Sequence, residues 1–132
     1  MKKIIIDTNF LMIPYRFRVD IFSEFARICP FNYGIFIYET SIGELNSIIE
    51  KQSGEDKRAA KFALNLIGIK KISAIKSENK YVDLAILENS DENTVVATQD
   101  IGLKKQLLEK GVPVIIMRQK KYLQLVEKPK GI

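Results

Sequence analysis

Short runs of β-branched and aromatic residues alternate along the chain with stretches whose apolar side chains recur every three or four positions. Residues 3–6, 34–38, 69–75, 94–98 and 112–117 read as strands. Between them the spacing predicts a helix over 19–28, with Phe22, Phe25 and Ala26 on one face, and another over 42–50 that buries Leu45, Ile48 and Ile49. A third helix lies between Gly54 and Gly68 and carries Ala59, Ala60, Ala63, Leu64 and Ile67; a fourth is expected over 80–88 and a fifth over 102–110, with Gly111 as its stop. Pro14 predicts an irregular turn after the first strand, and Pro30 ends the first helix. Alternation of this kind implies an α/β fold: a central, mainly parallel sheet of about five strands flanked by helices, joined by right-handed crossovers. Residues 1–122 are expected to form one domain and 123–132, with Pro129 and Gly131, a short, basic, loosely held tail.

Composition narrows the chemistry. At 132 residues the chain can bury a core without staples, and no apolar run approaches the roughly 20 residues of a membrane helix. Met1-Lys2-Lys3 leads directly into three isoleucines and Asp7, too short for a signal-peptide core, so a cytoplasmic location is expected. Cys29 is the only cysteine, which excludes an internal disulfide and any multi-thiolate metal site; it reads as a small core hydrophobe. The absence of histidine removes serine and cysteine triads and histidine–zinc sites. Reactions must use carboxylates, lysines or hydroxyls. The formal charge of +5 is concentrated from Met117 onward, where Arg118, Lys120, Lys121, Lys128 and Lys130 face only Glu127. Such an ending suits a polyanion such as RNA, or simply solubility.

The strand Ile4-Ile5-Ile6 ends abruptly on Asp7-Thr8-Asn9. A carboxylate placed there sits beside the core, so it must be paired, cap a helix or hold a metal. Sites of open α/β sheets form outside the carboxyl ends of the strands. Asp7 follows the first strand, Glu44 lies in the helix after the second, and Asp100 follows the strand Thr94-Val95-Val96-Ala97-Thr98; Asp83, in the first turn of the fourth helix, can join them. Each has a structural alternative. Ser41-Ile42-Gly43-Glu44 fits a capping box with Ser41 as N-cap, and Asp100 fits an N-cap. Four carboxylates on one rim need a cation, and hard oxygen donors select Mg²⁺ or Mn²⁺. Thr8, Asn9 and Thr98 are short polar residues on the same rim, suited to orienting ligands or an attacking water, although Thr98 also fits ordinary strand propensity.

The stretches IIIDTNFL, SIGELNSI, YVDLAIL and VVATQDIGLKKQLLEKGVPVI, in this order, resemble the PIN domain family of metal-dependent ribonucleases over nearly the whole chain. The resemblance implies a PIN-like three-layer sandwich in which Asp7, Glu44, Asp83 and Asp100 ligate Mg²⁺ or Mn²⁺ and cut RNA, with Asn9 and Thr98 as motif residues and pairing into homodimers. DTNFLMIPYRFRVDIF, GEDKRAAKFAL and GVPVIIMRQKKYLQL look like the archaeal and eukaryotic branch that processes precursor ribosomal RNA. A non-catalytic RNA-binding assembly factor and a toxin ribonuclease paired with an antitoxin are the alternatives. One departure is Leu84, where relatives often carry a second aspartate.

Other α/β chemistries lack their signatures: there is no Gly-x-Gly-x-x-Gly, no Gly-x-x-x-x-Gly-Lys-Ser/Thr, and no lysine placed for a phosphoaspartate receiver. Lys104 and Lys105 follow Asp100 by about one turn and can reach a phosphate or form a solvated face. With Arg118, Lys120 and Lys121 they are the expected RNA contacts. Tyr122 can stack on a base or anchor the tail.

Overall fold

A computed structural model of the chain describes residues 1–128. It contains six strands and six helices: β1 Lys2–Ile6, α1 Ile13–Phe17, α2 Ile21–Ile28, β2 Tyr33–Tyr38, α3 Glu39–Lys51, α4 Glu55–Ile69, β3 Ser73–Ile75, α5 Val82–Asn89, β4 Thr94–Ala97, α6 Ile101–Glu109, β5 Val114–Arg118 and β6 Tyr122–Val126. The sheet order is β3-β2-β1-β4-β5-β6, with every pairing parallel except β5 with β6. None of the helices among these residues is long and apolar enough to cross a membrane.

The three isoleucines of β1 are explained by its central position. Ile4 and Ile6 face a core shared with α1 to α4, including Phe10, Phe25, Leu45 and Ala63. Ile5 faces the opposite layer, where Val82, Ala85 and Ile86 of α5 meet Leu103 and Leu107 of α6. A parallel strand covered on both sides must be apolar at every position, not at alternate ones. The first two connections lie over one face and the next two over the other. The chain therefore changes direction across the sheet at β1 and β4, and a crevice opens outside their carboxyl ends.

Several expectations are corrected. Pro14 does not make an irregular turn: Asn9–Met12 forms a 3₁₀ turn and Pro14 lies in the first turn of α1, where its missing N–H is harmless. The following helix starts at Ile21, not residue 19, because Asp20 caps it. Gly68 does not close α4; helix continues to Ile69, leaving only Ser73–Ile75 of the expected 69–75 strand. α3 starts at Glu39, so Ser41 is not an N-cap and the capping box does not exist.

The end expected to be a loose tail is instead the sixth strand through Val126, with buried Leu123 packed into the core. Gln119 and Lys120 both have positive φ, as in the primed turns that fit hairpin twist. On the open side of β6, Glu24 of α2 accepts the Leu123 amide at 2.9 Å and Arg27 donates to its carbonyl at 3.0 Å, so one helix satisfies the edge. Of the expected tail, Pro129, Lys130 and Gly131 lie outside the described residues.

Candidate metal centre

All four acids line one cleft of about 410 Å³ at the strand ends. They arrive from four places: Asp7 from the end of β1, Glu44 from α3, Asp83 from the first turn of α5 and Asp100 from the start of α6.

Asp7 is the most constrained. The Thr8 amide donates to its Oδ1 at 2.8 Å, and the Thr98 hydroxyl donates to its Oδ2 at 2.8 Å. Burial nonetheless pushes its pKa above the usual carboxylate value; the two hydrogen bonds oppose this, and the charges of Glu44 and Asp100 add to it. Each Asp7 oxygen keeps a lone pair for a further partner.

Two buried threonines tie the acids together. Thr98 Oγ1 donates to Asp7 and accepts the Asp100 amide at 3.1 Å, so one hydroxyl spans two acids. This assigns Thr98 a part that strand propensity does not explain. Thr8 Oγ1 donates to Glu44 Oε1 and lies 2.8 Å from Ser41 Oγ. Since the single Thr8 proton goes to the carboxylate, Ser41 must be the donor to Thr8. Ser41, fully buried in α3, thus supports Glu44 through Thr8 and not through a cap.

Asp100 is also an N-cap: its Oδ1 accepts the Leu103 amide at 2.9 Å, which leaves Oδ2 for the cleft. Asp83 is exposed in the first turn of α5, where a negative charge is favoured by the helix dipole. Asn9 is exposed and lines the cleft beside Asp7. Among the described residues no three acids are closed into a ready-made ion cage.

The expected RNA contacts are not part of this cleft. Lys104 is half-buried and Lys105 exposed on α6. Arg118 donates to Gln124 at 2.8 Å, Lys120 lies 5.9 Å from the centroid of the Phe17 ring, and Lys121 closes the β5–β6 turn. Sequence reasoning missed the cation that does line it. Ser47, Ile48 and Lys51 follow Glu44 at helical spacing along α3, with Gln52 just beyond, and form one wall. The signal was available as the i, i+3, i+4, i+7 stripe from Glu44. Cys29 is the buried apolar thiol expected, its pKa pushed up to about 11 by burial.

Residues 4–120 match the family model described as "PIN like domain". Ribonuclease VapC4 of Methanocaldococcus jannaschii is 32% identical over 127 residues, which span 95% of this chain and 97% of that protein. The PIN domain endonuclease Utp24 matches in structure with a TM-score of 0.77 at 20% identity, covering 96% of this chain and 92% of that one. At that identity the second likeness speaks for the fold.

Proposed function

The chain belongs to the PIN-like domain family, and on that premise we propose that it is an endoribonuclease dependent on Mg²⁺ or Mn²⁺, held by Asp7, Glu44, Asp83 and Asp100. The observation that carries this reading is the arrival of four acids from four elements in one cleft. The donor set fits such an ion. It is all oxygen, Asp7 is half-buried and kept above its ordinary pKa, and the ion pairs present among the described residues, Arg16–Asp56 and Arg27–Glu24, involve none of these acids.

A divalent cation there supplies the charge that lowers the pKa of a water and offsets the charge growing on a phosphate during in-line displacement. The chain's own residues fix the geometry. Thr98 sets the separation of Asp7 and Asp100, and Thr8 sets Glu44 against Asp7. Asn9, which lines the cleft, is the residue proposed to orient a water or a phosphate oxygen. RNA as substrate is supported by the 32% identity to a protein named as a ribonuclease. Precursor ribosomal RNA as the target rests on the resemblance of the ending Gly111-Val112-Pro113-Val114 through Leu125 to the processing branch.

The test incubates the full chain with a precursor-rRNA fragment in Mn²⁺, in Mg²⁺ or in chelator, beside Asp7→Asn. Cleavage at a defined position that requires both metal and Asp7 is expected. Tight binding without cutting, unchanged by Asp7→Asn, would replace the nuclease with a non-catalytic assembly factor. Metal-dependent cutting of other RNAs but not of this fragment would favour a toxin-type ribonuclease.

A further inference from the structure

The two sides of the cleft differ in chemistry. On one side Lys51 and Gln52 stand seven and eight residues beyond Glu44, about 10 Å along the α3 axis from the acid. Lys51 is the cation in this lining, and none of the ion pairs found among the described residues engages it. On the α5 and α6 side, large side chains that adjoin the acids in sequence are left in water. Tyr81 is 53% exposed and precedes Val82 and Asp83; Leu84, 43% exposed, follows Asp83; Ile101, 83% exposed, follows Asp100. α5 and α6 belong to one packed layer, and Val82, Asp83 and Asp100 of their first turns line the cleft, so Tyr81, Leu84 and Ile101 are the immediate chain neighbours of lining residues.

Tyr81 is the best defined of them. Its amide donates to Asn79 Oδ1 at 3.0 Å, and the Asn79 amide donates to Ser77 Oγ at 3.0 Å, which fixes the backbone before α5. The ring projects with the Lys80 ammonium 5.2 Å from its centroid. An exposed aromatic paired with a cation, beside a site for a phosphodiester, suits a nucleobase better than an apolar protein surface, because it offers a π-face and a positive charge together.

We propose that Tyr81 is a nucleobase-stacking platform and that Lys51, with Gln52, holds a phosphodiester neighbouring the one to be cut. The strand then crosses the acids with its backbone against α3 and a base against the lip formed by α5 and α6. The inference rests on the nuclease reading and adds the orientation of the substrate. It requires the stacked base to be unpaired.

Fluorescence anisotropy of a labelled mixed-sequence oligoribonucleotide, with Ca²⁺ in place of Mn²⁺, tests it on the full chain. Tyr81→Ala is expected to weaken binding roughly 5- to 100-fold, the effect of one lost base stack, while Tyr81→Phe keeps native affinity. Lys51→Ala is expected to weaken binding and to flatten the slope of log K against log salt by about 0.7, which Tyr81→Ala leaves unchanged. This contrast in salt dependence would not arise from general misfolding. Unchanged affinity in Tyr81→Ala, loss in Tyr81→Phe equal to that in Tyr81→Ala, or an unchanged salt slope in Lys51→Ala overturns the assignment, as does native protein that binds no RNA. Cleavage in Mn²⁺ is scored separately. Protein that shows these binding signatures but cuts nothing keeps the two subsites and loses the nuclease; protein whose cutting is unaffected by both substitutions does the reverse.

Discussion

Thr98 shows how much geometry one hydroxyl can hold. It donates to Asp7 and accepts from the Asp100 amide, with no exposure to water. Replacing it by valine keeps the volume but removes its bonds to both partners and leaves Asp7 held by the Thr8 amide alone. Outer-sphere partners of metal ligands typically change affinity or activity 10- to 100-fold, so Thr98→Val is expected to weaken Mn²⁺ binding by about that factor. Thr98→Ser, which restores the hydroxyl, is expected to recover most of it. Titration calorimetry with Mn²⁺ decides; equal affinity for the native, valine and serine forms would mean that the acids do not depend on this clamp. Thr8 performs the corresponding task for Glu44, and Ser41 backs it from inside α3.

At the level of elements, α2 carries two duties. Its N-terminus is capped by Asp20, which accepts from the amides of Phe22 and Ser23 and from the Ser23 hydroxyl. The Ser23 hydroxyl and amide bonds, the largest causes, hold the Asp20 pKa below its ordinary value. A carboxylate depressed in the folded state adds stability above its unfolded pKa and loses it as pH falls through the folded value. Asp20→Ala is therefore expected to cost about 1 kcal/mol at neutral pH and less in strong acid, where the protonated carboxyl is a weaker acceptor. Urea unfolding at both pH values checks this, and a pH-independent deficit would point to lost packing in place of a cap.

The second duty of α2, closing the edge of β6, marks the limit of what the sequence made legible. The alternation of strands and helices and the rim position of the acids follow from local pattern, because strand ends and helix starts are written in consecutive residues. The sixth strand was readable in Tyr122-Leu123-Gln124-Leu125-Val126, but its edge is completed by Glu24 and Arg27, far away in sequence. Ser41 was misread for the same reason. Its local spacing to Glu44 imitates a cap, and only the approach of Thr8 from β1 reveals its partner. Lys51 escaped notice because its place in the cleft depends on the direction in which α3 leaves the sheet.

For the molecule as a whole, the cleft sets ligand binding against stability. Three acids share their charge at the end of a central strand: burial raises the Asp7 pKa, and Glu44 and Asp100 raise it further. Without a cation this arrangement opposes folding; on the proposed reading, a bound cation is expected to favour it by mass action. Mn²⁺ at a hundredfold excess over its dissociation constant is then expected to add about 2.7 kcal/mol, which for a domain of this size would raise Tm by roughly 10 °C. Asp7→Asn removes a half-buried charge while retaining an acceptor for the Thr8 amide, so the metal-free variant is expected to melt at or above the native temperature. It is also expected to gain nothing from Mn²⁺, since the ligand that joins Thr98 to the other acids is gone. A native chain that melts lower than the variant without metal and higher with it would carry the signature of a site whose stability was given up for binding. If Mn²⁺ raised both melting temperatures equally, the ion would be binding elsewhere, and the four acids would need another reason to share the cleft.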